Sequence, residues 1–274
     1  MMQRFGAWPA LAFIALFFVF PLVALLPEAM SDQGEAFVRM LDDPLFWPAI
    51  RNSVALGLSA GLLSTLVGVT VAWQLAHLPP RQRDIWMALL GLPLAFSGMV
   101  IAYGFILAFG RAGFVTQLLG YLGADPAEFG AWIYTVGRLT LAYAYYLIPR
   151  VALTLYPVFT NLDPRPIEAA RTLGASPYRA FCNVVLPEIA PSVGASCALV
   201  SALAMGTYGT ALALVGTQVN ILPLLLYAKI GDGGADFPAT AALSIVLLAL
   251  CSLILGLGDH FSRRREHAVF QSSH

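Results

Sequence analysis

Charge is what this sequence has least of. Lysine, arginine, aspartate and glutamate together make up 11% of its 274 residues, against roughly 25% in an average soluble domain. A soluble globule of this size needs more polar surface than that, so a water-soluble domain with an oversized core is excluded. The 15 basic and 15 acidic residues cancel, which leaves no global basic field for nucleic acid. Cysteine is scarce as well. Cys182, Cys197 and Cys251 lie in apolar or helical runs, form no CxxC pair and share no metal-ligand spacing with the four histidines. They read as small buried hydrophobes rather than as a disulfide or metal framework. The single lysine, Lys229, follows Ala228 and not the glycine that a phosphate-cradling loop requires. Any ATP used must therefore be bound by another chain.

What is present is apolar, 59% of the residues. A membrane span needs about 20 mostly apolar residues, and six stretches qualify: Trp8 to Leu26, Ser53 to Ala76, Ile85 to Phe109, Trp132 to Leu155, Ile189 to Val215, and Phe237 to Leu257. The fold class expected is therefore all-α, an integral membrane protein with about six transmembrane helices. The first stretch has a second reading as a cleaved signal peptide, because Arg4 precedes it and small residues follow near Ala29. Its apolar run exceeds the roughly 7–15 residues of a signal core, which favours a retained helix. With the N-terminus in the cytoplasm, the inner segments and span ends carry Arg4, Arg81, Arg83, Arg150, Arg165, Arg171, Arg179 and Arg263 to Arg265, while the outer segments carry Arg39, Arg51, Arg111 and Lys229. This excess of inner positive charge sets both termini in the cytoplasm. The outer loops are too short for a receptor domain.

Gly57 and Gly61 form a GxxxG pair, with Ser64 and Gly68 further along. Such residues let helix backbones approach closely where lipid supplies no hydrophobic drive. That reading concerns packing alone.

The informative segment is 163–187, DPRPIEAARTLGASPYRAFCNVVLP. Asp163 can cap a helix whose first position suits Pro164. Gly174 stands where a helix ends in a left-handed turn. Ser176 and Pro177 repeat the cap-and-proline start, and the second helix is expected to end before Pro187. Two short helices with apolar inner faces and basic flanks make either an ordinary amphipathic loop or a docking element on a rigid turn.

The spacing of Glu168-Ala169-Ala170, three residues, Gly174, nine residues, Val184, one residue and Leu186-Pro187 resembles the EAA motif of the permease subunits of binding-protein-dependent ABC importers. That family usually has isoleucine where this chain has Val184. The resemblance implies the type I importer permease (MetI-like) fold, with a family core over residues 52–255 inside a single permease domain of residues 1–274. It implies that Glu168, Ala169, Ala170, Gly174, Val184, Leu186 and Pro187 form an ATPase-coupling loop, with Glu168 in polar contact with the motor and Gly174 at the turn. It further implies two ATPase subunits that carry ATP and Mg, so that this chain binds no cofactor and is not itself an enzyme. A second permease, a different chain rather than another copy, and a periplasmic binding protein complete the expected assembly in a bacterial inner membrane. Asp43-Pro44-Leu45-Phe46-Trp47, Leu92-Pro93-Leu94-Ala95-Phe96 and Glu168 to Ser176 look like the polyamine, aminoethylphosphonate, ferric-ion and thiamine branch.

Polar groups inside spans are costly and so are functional candidates. Arg138 is either a snorkelling interface residue or a pathway group that meets an anionic substrate. Thr207, Tyr208 and Thr210 lie in the run Gly206-Thr207-Tyr208-Gly209-Thr210 and either line a wet pathway or bond a neighbouring helix. Tyr143, Tyr145 and Tyr146 cannot share one helix face, so at least one belongs at the interface or in a lumen. No span holds a histidine near its centre, and no catalytic constellation is recognisable. A self-sufficient secondary transporter or channel remains the alternative, although the inverted repeats it calls for are not evident.

Overall fold

The structure, a computed structural model, describes residues 12–110, 112–123, 125, 136–216, 218–231 and 236–271, the side chains of 136, 138 and 261–271 excepted. The expected starts of the first span at Trp8 and of the fourth at Trp132 lie outside the described residues, as do the side chains of Arg4, Arg111 and Arg263 to Arg265. Every regular element among the described residues is helical. In chain order they are α1 (Ala12–Ala29), α2 (Glu35–Asp42), α3 (Phe46–His77), α4 (Pro80–Ala95), α5 (Gly98–Phe109), α6 (Phe114–Tyr121), α7 (Val136–Thr160), α8 (Arg165–Thr172), α9 (Pro177–Gly206), α10 (Gly209–Val215), α11 (Leu222–Gly231) and α12 (Phe237–Gln271).

Five of these segments are long and apolar enough to cross a membrane: Ala12–Ala29, Phe46–His77, Gly98–Tyr121, Pro177–Gly206 and Phe237–His260. α7, with 25 residues, has the length for a sixth. Its two arginines, two prolines and four tyrosines make it less apolar than the others. The residues group into two compact units, one of 1–51 with 220–250 and one of 52–219 with 251–274.

In the first unit, Ala29, Met40, Phe46, Ala49, Leu222 and Ala242 form a buried apolar cluster. Ion pairs edge it. Arg39 on α2 meets Asp32 at 2.7 Å and Asp236 at 3.4 Å, and Lys229 meets Asp43 at 2.8 Å. The carboxylates also start helices. Asp43 Oδ1 accepts the Leu45 N–H at 2.9 Å ahead of α3, and Asp236 Oδ1 accepts the Ala239 N–H at 3.1 Å ahead of α12. Burial pushes the Asp43 carboxyl up, but its bonds to Lys229 and to the Leu45 N–H, with the Lys229 charge, together hold it below its ordinary value. α1 is apolar on all sides and largely exposed, as suits a helix whose solvent is lipid or another apolar surface.

In the second unit the small residues of α3 do what their spacing predicts. A side chain at Gly57 would collide with Met205, one at Gly61 with Ser201, and one at Gly68 with Val151. α3 thus lies close against α9 and α7. Ser59 Oγ and Thr140 Oγ1, 2.8 Å apart, add a hydroxyl bond between α3 and α7.

Three features differ from the sequence expectation. The third span is not one helix. It breaks at Phe96 and Ser97, both extended, and restarts at Gly98 with Ser97 as its cap. The fifth expected span breaks after Gly206, where Thr207 is extended, before α10 begins. Conversely, Pro187 does not end a helix. A π-turn at Phe181–Val185 carries α9 through the proline, with the Leu186 N–H bonded to Phe181 O. Proline lacks an N–H, and its ring clashes with the carbonyl four residues back. One wider turn relieves both problems without ending the helix. The same device precedes Pro21 in α1, where Ala15–Val19 is also a π-turn.

Candidate functional site

The first candidate site is the turn between α8 and α9. Asp163 Oδ1 accepts the Arg165 N–H at 3.0 Å, which is the cap read from the sequence, two residues ahead of the first residue of α8. At the other end Gly174 has φ +86°. The Gly174 N–H bonds to Arg171 O and the Ala175 N–H to Ala170 O, both at 3.0 Å. This bond pair, with a left-handed residue between, is a Schellman closure. Ser176 Oγ then accepts the Arg179 N–H at 3.3 Å and starts α9.

The turn therefore projects as a defined tip. Glu168, Ala169 and Gly174 are exposed, Ala170 is half-buried, and Val184, Leu186 and Pro187 lie beyond the tip in and just after the π-turn of α9. Val184 and Pro187 are half-buried and Leu186 exposed. Two large side chains that the sequence pattern does not single out stand out here. Leu173 is 88% exposed and Tyr178 77% exposed.

The tip has a stiff root. The Trp73 ring of α3 packs edge-on against Phe159 at the end of α7 and Phe181 at the start of the π-turn, with centroids 5.4 and 5.6 Å apart. It also lies 4.4 Å from the His77 ring. Trp73 thus holds the chain on both sides of the turn against the end of α3.

The second candidate site is the pair of helix breaks. α10 packs on α5, and a side chain at Gly98 would collide with Thr210 Oγ1. The break before Tyr208 frees carbonyls that a continuous helix would have satisfied. Tyr143, fully buried on α7, donates its hydroxyl to Thr207 O at 2.7 Å. Thr207 Oγ1 bonds back to Leu203 O at 2.6 Å. The Tyr146 hydroxyl is directed at the hydroxyls of Thr207 and Thr210, yet neither it nor Thr210 Oγ1 has a hydrogen-bond partner. Tyr145 turns the other way, half exposed, with its ring edge-on to Phe105 at 5.6 Å. The three tyrosines thus divide as their spacing requires.

Of the pathway candidates, Tyr143, Thr207 and Thr210 come together at this break, and Tyr208 caps α10 within it. Arg138 lies in the first turn of α7, and its side chain is outside the described residues. Tyr146, Ser97 and Gly98 belong to the same neighbourhood. Sequence reading had grouped Tyr146 with its neighbours and passed over the other two, because nothing in an apolar run announces a break.

Apolar spans, two of them interrupted around hydroxyls, and an exposed capped turn are features of a helical membrane protein. Residues 44–267 match the family described as the binding-protein-dependent transport system inner membrane component, and the chain belongs to that family. It is similar to the sulfate transport system permease protein CysW of Synechocystis sp., 28% identical over 90% of this chain and 88% of that one. It is equally similar to the sulfate transport system permease protein CysT of Escherichia coli, 28% identical over 93% and 92%. The spermidine/putrescine transport system permease protein PotB of E. coli is 27% identical over 88% and 91%. Among solved structures, a chain of the bacterial alginate ABC transporter in complex with a pentasaccharide-bound periplasmic protein superposes with TM-score 0.77, at 18% identity and 96% and 94% coverage. A chain of the MetNI methionine ABC transporter in an inward-facing conformation gives 0.61, at 18% identity and 82% and 99% coverage. These two establish the fold. The chain is a transmembrane permease subunit of an ABC importer, and the alternative of a self-sufficient secondary transporter or channel is not favoured.

Proposed function

We propose that this permease forms half of a substrate pathway across the inner membrane and is driven by a separate ATPase that grips the tip at Gly174. The observation that carries the reading is the closed, doubly capped turn, on which the side chains of Glu168, Leu173 and Tyr178 are exposed on a rigid support. A motor's stroke is transmitted by a rigid element and absorbed by a floppy one. In the assembly two ATPase subunits hold ATP and Mg, a second and different permease completes the pathway, and a periplasmic binding protein delivers substrate. Both termini and the α8–α9 tip lie in the cytoplasm, as the distribution of arginine requires. Val184, Leu186 and Pro187 join the tip to α9. Tyr143, Thr207, Tyr208 and Thr210, with Arg138, line or support the pathway. The relatives named above carry sulfate or polyamines in their names, and the sequence resemblance adds aminoethylphosphonate, ferric ion and thiamine.

The test is purification in mild detergent followed by reconstitution. An ATPase subunit should copurify. Glu168→Lys and Gly174→Pro should abolish transport while the chain remains inserted in the membrane. Wild-type transport by both variants, or uptake by this chain alone that ignores ATP, would overturn the proposal.

A further inference from the structure

The broken spans leave an unusual inventory of polar groups. Thr210 Oγ1 is wholly buried and unpaired, and it rests on Gly98, the first residue of α5. A threonine inside a helix ordinarily bonds back to the carbonyl four residues earlier, as Thr207 does to Leu203. For Thr210 that carbonyl belongs to Gly206, on the other side of the break. The Tyr146 hydroxyl is the second buried, unpaired group. The third component is the N-terminus of α5, a 12-residue helix. Its first amide groups have no intrahelical acceptor and carry partial positive charge. Ser97 relieves this only by a long 3.5 Å contact to the Val100 N–H and by its carbonyl at Ile101.

The charged side chains nearest this place have one sign. Arg150 stands four residues after Tyr146, on the same face of α7, and forms no ion pair among the described residues. α5, α7 and α10 contain no aspartate or glutamate. On α9 the acidic residue is Glu188, just after the π-turn, and Thr207 follows 19 positions later, about 28 Å along a helix. Among the described residues no cluster of histidine, cysteine, aspartate or glutamate could hold a metal ion. A polycation or a ferric ion brought here would meet a cation and helix-end amides with no carboxylate to neutralise it. An oxyanion would meet two hydroxyls and the helix-end amides.

We propose that Thr210, Tyr146 and the amide end of α5 at Gly98 form an oxyanion site within the pathway, and that the transported substrate carries a sulfate-like or phosphonate-like group. The proposal rests on the permease reading and names its substrate class. In the conformation described here Thr210 fills the space over Gly98, so the site is shut. Separation of α5 from α10 uncovers both hydroxyls and the amides together, which ties access of the anion to the alternation of the pathway.

The experiment uses the permease purified with whatever subunits accompany it, held in nanodiscs at constant ionic strength. Binding of radiolabelled sulfate is measured without nucleotide and after ATP-vanadate treatment, with methylphosphonate and spermidine as competitors. Saturable sulfate binding in at least one state, displaced by methylphosphonate and not by spermidine, is expected. Thr210→Val and Tyr146→Phe, which keep shape and remove one hydroxyl each, should each weaken it about tenfold, the usual scale for a hydrogen bond to a charged group. No saturable binding in either state, binding that both variants leave unchanged, or displacement by spermidine would overturn the proposal. Failure of the permease reading shows separately, as an ATPase subunit that never copurifies with the wild-type chain.

Discussion

The turn at Gly174 offers a quantitative test of the docking tip. A Cβ built there meets nothing within 4 Å, so Gly174→Ala introduces no collision and perturbs only the backbone. At φ +86° an L-residue costs roughly 1–2 kcal/mol relative to glycine. Loss of the glycine's freedom in the unfolded chain returns about 0.4–1 kcal/mol. The net is about 1 kcal/mol, or close to fivefold in the equilibrium between closed and open turn. The cost falls on α8, which has eight residues and is far shorter than the roughly 12–15 an isolated helix needs. Its end bonds, from the Gly174 and Ala175 amides, are the ones released. Hydrogen exchange of a peptide spanning 163–180, measured in nanodiscs, should therefore accelerate about fivefold at residues 174 and 175. Gly91→Ala is the control. Its Cβ is equally free, its φ is not left-handed, and it sits inside α4, where alanine is preferred to glycine by about 1 kcal/mol. Unchanged exchange in Gly174→Ala, or the same acceleration in Gly91→Ala, would refute the reasoning.

Other expectations follow from single contacts. Gly61→Val drives a branched side chain into Ser201, whose Cα is only 3.2 Å from the added Cβ. A loss of about 1–3 kcal/mol or more should appear as a lower unfolding temperature in detergent. Tyr143→Phe removes the donor to Thr207 O and should cost about 0.6–1.7 kcal/mol, the range for hydrogen bonds inside membrane bundles, read from denaturant unfolding in mixed micelles. The Asp43–Lys229 pair predicts a pH profile. The folded carboxyl lies below its ordinary 3.8, so its contribution is complete above that value and is lost as pH falls through the folded value. The stability difference between wild type and Lys229→Met, about 1 kcal/mol or less for so exposed a lysine, should stay flat from pH 8 to 5, begin to shrink near the ordinary carboxyl value of 3.8 and vanish only below the lower folded value. A difference that fades already at pH 6 would show that Asp43 is not held down by Lys229.

Much of the molecule was legible because its causes are local. The cap at Asp163, the left-handed Gly174 and the restart at Ser176 and Pro177 are each set by a side chain acting on its own next turn, and all three occur where the residues place them. The GxxxG pair in α3 likewise meets neighbouring helices at close range. The breaks were not legible. Hydropathy runs unbroken from Ile85 to Phe109 and from Ile189 to Val215, and no proline or charge stands at Phe96 or Thr207. Pro187 misled in the opposite direction, since a local rule ends a helix there and the π-turn carries it on.

From the residues alone came the solvent and the joint. With so few charges the chain must lie in lipid, and the tip at Gly174 follows from capping chemistry within a dozen neighbours. Tertiary structure decided where the spans come apart. An open helix turn in lipid has no water to satisfy its carbonyls, so it persists only where a distant group reaches it, as the hydroxyl of Tyr143 reaches Thr207 from 64 residues away.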